Sequence, residues 1–368
     1  MSGTALEALE RALSTVIDPE LRRPMLQLGM LRDIGIEGDT ATVRVVLTTP
    51  ACPLKDRIQQ DLDAAVIGTV PGVSSVRVSW DANVTSTHGL PGRQEIPGVR
   101  NAVAISAGKG GVGKTTVSVN VAIALHQTGA RVGLLDADVY GPNVPIMLNL
   151  TEHPRANADT GRMEPLQSHG LKVVSFGTIL KPGEPVIWRG PMLAKALREF
   201  LYEVEWGELD YLVLDLPPGT GDVQLSLAQS MPMTGAVICT TPQDVSIADV
   251  SRGIEMFRKL NVPVLGVVEN MSGFICPHCE ERTDIFGSGG GRILAERYGV
   301  PFLGAVPLDP RIRVGDGEGA PLMSVAPQSA VGRVFSEVAS HIAAEVSKSN
   351  FAATAGPVMP GPRIPLAR

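Results

Sequence analysis

Apolar and polar positions along this 368-residue chain follow one pattern before residue 100 and another after it. In the first stretch, residues 4–14 repeat apolar side chains at helical spacing and residues 42–48 read as a β-branched strand. Residues 53–67 then set Leu54, Ile58, Leu62 and Ala65 on one helical face, and residues 73–78 return to alternation. These elements predict a small α+β unit over residues 1–92. Residues 83–98 collect Thr, Ser, Gly and Pro without periodicity, which reads as a linker closing at residues 93–98. With so few apolar anchors in that linker, the N-terminal unit is expected to be separable.

Beyond it, short apolar runs at residues 102–106, 132–136, 171–175, 211–215, 235–240, 264–269 and 302–306 alternate with helical segments. That alternation predicts an α/β domain over residues 99–346 with a doubly wound, mostly parallel sheet. Val331, Val334, Phe335, Val338 and Ile342 form the apolar stripe of a docked last helix. Residues 347–368, rich in Pro, Ala and Gly, read as a disordered tail. No internal repeat is visible.

Composition narrows the class. Hydrophobic residues make up 44% and charged ones 19%, as in ordinary globular proteins, and the formal charge of −6 gives no basic field to gather nucleic acid. The N-terminus lacks a signal-peptide pattern and no apolar run reaches bilayer length, so a cytoplasmic protein without a membrane partner is expected. Four cysteines, Cys52, Cys239, Cys276 and Cys279, are too few for a disulfide framework and are expected as thiols.

Gly108-Lys109-Gly110-Gly111-Val112-Gly113-Lys114-Thr115-Thr116 stands between a predicted strand and a predicted helix over residues 115–126, the context a P-loop needs. Glycines let backbone N–H groups turn around phosphates, Lys114 reaches the β/γ oxygens, and Thr115 supplies a hydroxyl to Mg²⁺. Two apolar strands end in acids, Asp136 with Asp138, and Asp215. A carboxylate there can hold Mg²⁺, and Asp215 is the stronger choice. Asn270 ends another strand and could pair with an adenine edge.

Cys276 and Cys279 put two soft ligands on one short loop. One pair cannot close a four-thiolate site, but two copies about a twofold can, with an iron–sulfur cluster or zinc between them. Haem attachment fails because Glu280 stands where a His is needed, and the acidic residues after Cys279 argue against a thioredoxin-type dithiol. Cys239 sits inside an apolar strand and reads as core. Cys52, after a strand and before a helix, reads either as a reactive thiolate with a depressed pKa or as a packed thiol.

Lys109 is a second lysine within the loop, and in this the sequence resembles the deviant Walker A ATPases, the group of nitrogenase iron protein, MinD and ParA. That resemblance implies that Lys109 reaches a partner's phosphates in trans. It further implies that Asp136 contacts metal or water, that Asp138 positions the attacking water, and that Gly219 senses the γ-phosphate. Together with Asp136-Ala-Asp-Val-Tyr-Gly-Pro-Asn143, Trp188-Arg-Gly-Pro191, Asp215-Leu-Pro-Pro-Gly-Thr-Gly-Asp222 and the Cys pair, the loop looks like that of the Mrp/ApbC family of iron–sulfur cluster carrier ATPases. The N-terminal unit resembles the small iron–sulfur assembly-associated module such proteins often carry, through Asp18-Pro-Glu-Leu21 and Leu47-Thr-Thr-Pro-Ala-Cys-Pro53. The resemblance implies a homodimer that hydrolyses ATP, binds a [4Fe–4S] cluster at its interface and passes it to apo client proteins, working with an assembly scaffold. The alternatives are a ParA/MinD-like positioning ATPase and a nucleotide-switched scaffold with a bridging zinc.

Overall fold

The computed structural model describes residues 3–84, 86, 95–179, 190–276, 278, 279 and 281–354. The N-terminal unit runs α1 (Gly3–Leu13), β1 (Leu31–Glu37), β2 (Thr40–Leu47), α2 (Lys55–Val66) and β3 (Ser75–Ala82). Strand β2 pairs antiparallel with β1 and parallel with β3. Its strict alternation of buried and half-buried residues reflects a sheet with one covered face, where Val43, Val45 and Leu47 meet Leu9, Leu13, Ile58 and Leu62 of the helices. The polar strand β1, Leu-Arg-Asp-Ile-Gly-Ile-Glu, was not predicted; Asp33 at φ 47° and a register shift after Arg32 break its alternation.

The second domain runs β4 (Ala102–Ala107), α3 (Lys114–Gln127), β5 (Val132–Asp136), α4 (Val144–Met147), β6 (Leu166–Ser168), β7 (Leu171–Ser175), α5 (Phe176–Ile179), α6 (Gly190–Tyr202) and β8 (Tyr211–Asp215). It continues with α7 (Asp222–Ser230), β9 (Gly235–Thr240), α8 (Asp244–Lys259), β10 (Val264–Ile275), β11 (Arg282–Thr283), α9 (Gly290–Tyr298), β12 (Phe302–Leu308), α10 (Pro310–Glu318), α11 (Leu322–Val325) and α12 (Ala330–Thr354). Among the described residues the sheet has nine strands in the order β11-β10-β9-β4-β8-β5-β7-β6, with β12 paired parallel to β10. All seven predicted strands are present and mutually parallel, and two short antiparallel strands, β6 and β11, were not foreseen. Alternate residues of β4 feed opposite cores: Val103 and Ile105 pack with α3 and α12, Ala102 and Ala104 with α6, α8 and α9. Burial on both faces is why these strands read as unbroken apolar runs.

Two expectations need correction. Helix α12 extends to Thr354, eight residues into the span read as a disordered tail, because Ser347 and Asn350 are buried and the Asn350 amide donates to Asn101 Oδ1 at 2.9 Å. Residues 355–368 lie outside the described residues. Nor are the two domains joined by a linker alone. Ala51 and Val84 belong to the buried cluster built on α3 and α12, and the Tyr211 phenol donates to the buried Thr49 hydroxyl at 3.0 Å. Arg100 donates to the Val84 carbonyl at 2.7 Å, and the Arg23 guanidinium lies 5.1 Å from the Phe351 ring centroid. Tyr211 opens β8 and Asp215 ends it, so the N-terminal unit docks at the end of the sheet opposite the P-loop.

Candidate functional site

The fold brings the strand ends together at one edge. β4, which delivers the P-loop, pairs with β8 in register Ile105 to Asp215, and β8 pairs with β5 in register Asp215 to Asp136. Three neighbouring strands therefore bring a phosphate loop and two fully buried carboxylates to one edge of the sheet, beside a cleft of about 580 Å³ lined by residues 109–116, Asp138, Tyr140, Gly141, Asn143, Ile146, Met147, Pro218, Asp316 and Gly317. Two loop positions require glycine. A Cβ at Gly108 would stand 2.6 Å from the backbone of Asp249 in α8, and Gly113 has φ 76° with Asn270 Nδ2 2.2 Å from where its Cβ would be.

Charge at the base of the cleft is tightly organised. Lys114, 6% exposed, lies 2.7 Å from Asp215 Oδ2 and 3.8 Å from Asp138 Oδ2. Thr115 Oγ1 donates to the same Asp215 Oδ2 at 2.8 Å, and Ser118 Oγ donates to Asp215 Oδ1 at 2.6 Å. Asp136 accepts from the Ser175 hydroxyl at 2.8 Å and the Asp138 N–H at 3.1 Å. Burial, and then the Asp215 charge, push the Asp136 carboxyl well above the usual carboxylate range, and the side chain anchors the Asp138 backbone. Burial also raises Asp138, against the pull of Lys114, and its Oδ1 is buried without a partner. Gly219, at φ 104°, donates its N–H to the Ala107 carbonyl at 2.9 Å, so the loop after β8 rides on the end of β4. The Thr115 hydroxyl and the Asp215 carboxylate, converging beside the loop's backbone N–H groups, form a hard-oxygen donor set whose chemistry fits Mg²⁺.

Asn270, 5% exposed, sits behind the P-loop and donates from Nδ2 to the Val112 carbonyl at 2.9 Å. Its neighbour Glu269 carries a role the sequence reading missed. The buried Glu269 carboxylate accepts from Ser272 Oγ at 2.6 Å, Gly289 N–H at 2.9 Å and Gly291 N–H at 2.6 Å, pinning the start of α9 to β10. An acid ending an apolar run was the only signal, and the sequence names no partner for it.

The cysteine loop is not a loop after a strand ending at residue 269. β10 continues to Ile275 through a register shift between Asn270 and Phe274, where Met271 (φ 57°) and Gly273 (φ 75°) break the alternation. β11 returns antiparallel, Phe274 opposite Thr283 and Ile275 opposite Arg282, and the Cys276 N–H donates to the Glu281 carbonyl at 3.0 Å. Cys276 and Cys279 thus stand at the tip of a β-hairpin on the sheet edge, the first half-buried and the second exposed. Hydrogen bonds from the N–H groups of His278 and Cys279, then from the Cys279 thiol, hold the Cys276 thiol below its ordinary range. Among the described residues no cluster of three or more His, Cys, Asp or Glu could hold a metal within one chain.

Of the two readings left open for Cys52, the packed one fits its surroundings: the half-buried thiol lies against the N-terminal core, burial pushes it up to about 11, and Glu20 and Asp18 add to the rise. Cys239 is fully buried in β9 and pushed up to about 12. The Trp188-Arg-Gly-Pro191 motif falls at residues 188–189 outside the described residues. No helix among those described is long and apolar enough to cross a membrane.

Sheet order, P-loop and strand-end acids together define a P-loop NTPase with a small N-terminal α+β domain. Comparison with known proteins agrees. The chain belongs to the NUBPL iron-transfer P-loop NTPase family, whose model matches residues 98–343, and residues 6–80 match the iron–sulfur cluster assembly protein family. An iron–sulfur cluster carrier protein of Synechocystis is 51% identical over 345 residues, covering 93% of this chain and 98% of that protein. The Escherichia coli K12 protein of the same description is 39% identical over 94% of each chain. Among solved structures, an Archaeoglobus fulgidus nucleotide-binding protein in complex with ADP matches at TM-score 0.56 and 38% identity, over 61% of this chain and 89% of that one. Pyrococcus furiosus MinD matches at TM-score 0.51 and 22% identity, over 66% and 98%, a likeness of fold.

Proposed function

We propose that this protein is a cytoplasmic ATP-hydrolysing iron–sulfur cluster carrier. Two copies hold one [4Fe–4S] cluster between Cys276 and Cys279 of each chain and pass it to apo client proteins, receiving it from an assembly scaffold. The carrying observation is the hairpin tip: two accessible thiols, one held below its ordinary range, on an edge that a second copy can approach. Two thiolates per chain meet the usual four-ligand demand only across a twofold. Exposed apolar side chains support a second copy, with Ile285 and Phe286 following the hairpin and Tyr140 and Ile146 on the rim of the nucleotide cleft. Neither a nucleic acid nor a membrane is needed.

In the nucleotide cleft, Lys114 turns from Asp215 to the β/γ-phosphate oxygens, and backbone N–H groups of residues 110–116 hold the phosphates. Mg²⁺, when bound by Thr115 and Asp215, supplies charge neutralisation at the phosphates. The unpartnered Oδ1 of Asp138 is the acceptor that aligns the attacking water, while Asp136 fixes the backbone that carries it. Water attacks the γ-phosphorus, the bond to the β–γ bridging oxygen breaks, and ADP and phosphate result. Lys109 completes the partner's phosphate site, Gly219 reports the γ-phosphate, and Asn270, its Nδ2 engaged on Val112, offers Oδ1 to the adenine amine. The test is to load anaerobic protein with iron and sulfide and record its visible spectrum, zinc and iron content. A colourless protein that takes up only zinc refutes the reading.

A further inference from the structure

One charged residue lining the cleft has no part in this scheme. Asp316, in α10, lies 200 positions from Thr116 in sequence, yet Thr116 Oγ1 donates to its Oδ2 at 2.7 Å. Its other oxygen, Oδ1, is buried and has no hydrogen-bond partner, and both Asp316 and Gly317 line the nucleotide cleft. An acceptor left buried and unpaired is unfavourable, so the site is poised for a donor.

The nucleotide's own chemistry identifies that donor. An ionised carboxylate only accepts hydrogen bonds, so Asp316 cannot bind phosphate oxygens, which are also acceptors. Thr116 is the last residue of the P-loop run, beyond Lys114 and Thr115, which serve the β/γ end, so its hydroxyl belongs to the α-phosphate end. The group bonded next to an α-phosphate is the ribose, and its hydroxyls are donors. Carboxylates hold ribose hydroxyls in the same way at dinucleotide sites. We propose that Asp316, positioned by Thr116, accepts a hydrogen bond from a ribose hydroxyl of the bound nucleotide and makes the site selective for ribonucleotides. Gly317 beside it leaves the approach open, since a Cβ there would meet no atom within 4 Å.

This inference rests on the nucleotide reading of the cleft, and the experiment separates the two. Dissociation constants of ADP, 2′-deoxy-ADP and 3′-deoxy-ADP are measured by calorimetry for the full chain and for Asp316→Ala and Asp316→Asn. One hydrogen bond to a charged acceptor corresponds to roughly ten- to hundred-fold in affinity. At least one deoxy nucleotide should bind the native protein about ten-fold or more weakly than ADP. Asp316→Ala should lower ADP affinity to that same level and erase the discrimination, with Asp316→Asn between the two. If the native protein binds all three alike, or Asp316→Ala weakens all three by one factor, the ribose assignment is overturned while the phosphate site stands. If ADP itself does not bind, the nucleotide reading falls as well.

Discussion

Glu269 gives the most informative mutational test of how the cysteine hairpin is held. Its carboxylate, 1% exposed, accepts two backbone N–H groups and one hydroxyl, tying the bulge of β10 to the start of α9 on the return path from the hairpin. Glu269→Ala leaves the Gly289 and Gly291 N–H groups without that acceptor. At about 1–3 kcal/mol for each unsatisfied buried donor, plus the loss of a negative charge at a helix N-terminus, the loss comes to roughly 3–5 kcal/mol. In a domain of this size, about 2–4 °C per kcal/mol makes that a fall in melting temperature of ~6–20 °C. Glu269→Gln keeps one acceptor but turns an amide N–H₂ toward a donor, and should fall between. Thermal unfolding gives the global effect, and amide hydrogen exchange at residues 289–291 gives the local one. If Glu269→Ala melts within about 1 °C of the native chain with unchanged exchange, the carboxylate does not hold the hairpin's base.

Other outcomes follow from the same geometry. Lys114→Ala should abolish most ATP hydrolysis through loss of several kcal/mol of phosphate stabilisation, read as phosphate release from protein whose circular dichroism is native; near-normal turnover refutes the P-loop assignment. Lys109→Ala should still bind ADP but lose ATP-dependent association, and unchanged light scattering with ATP removes the trans role. In cluster-free protein at pH 8, a thiol near 11 is only ~0.1% thiolate, so iodoacetamide should modify Cys276 at least about ten-fold faster than Cys52. Equal rates by peptide mass spectrometry contradict the assigned environments. A chain starting at Gly98 should still hydrolyse ATP yet melt lower, because Tyr211 loses Thr49 and the core loses Ala51 and Val84; an unchanged melting temperature shows the docking to be energetically empty.

Much of the α/β domain was legible because its strands are buried on both faces and so read as continuous apolar runs, three of which, β4, β5 and β8, end at the candidate site. The P-loop and the acids Asp136, Asp138 and Asp215 were readable for the same reason: function at parallel-sheet edges follows strand ends in sequence order. What escaped depended on contacts between distant segments. The second half of β10 was hidden by Met271 and Gly273, whose positive φ values break alternation without breaking the strand. Asp316 lies in the Gly-rich run 315–319, where nothing local marks it as a neighbour of Thr116. Domain docking was invisible because its anchors, Thr49, Ala51 and Val84, are small residues in segments that look like loops. Cys52 illustrates the limit of motif reading: its place between strand and helix fits a reactive or a packed thiol equally, and only its burial against the N-terminal core distinguishes them.

The most direct test of the carrier account counts iron and chains together. Native protein and Cys276→Ala are reconstituted anaerobically with iron and sulfide, then passed through size exclusion with light scattering and assayed for iron and ADP affinity. A bridging cluster requires about two iron atoms per chain, a brown dimer that persists without nucleotide, and, for Cys276→Ala, loss of iron and of that dimer with ADP affinity retained. A Cys276→Ala protein that keeps its chromophore and its iron contradicts a cluster bridging the two hairpins.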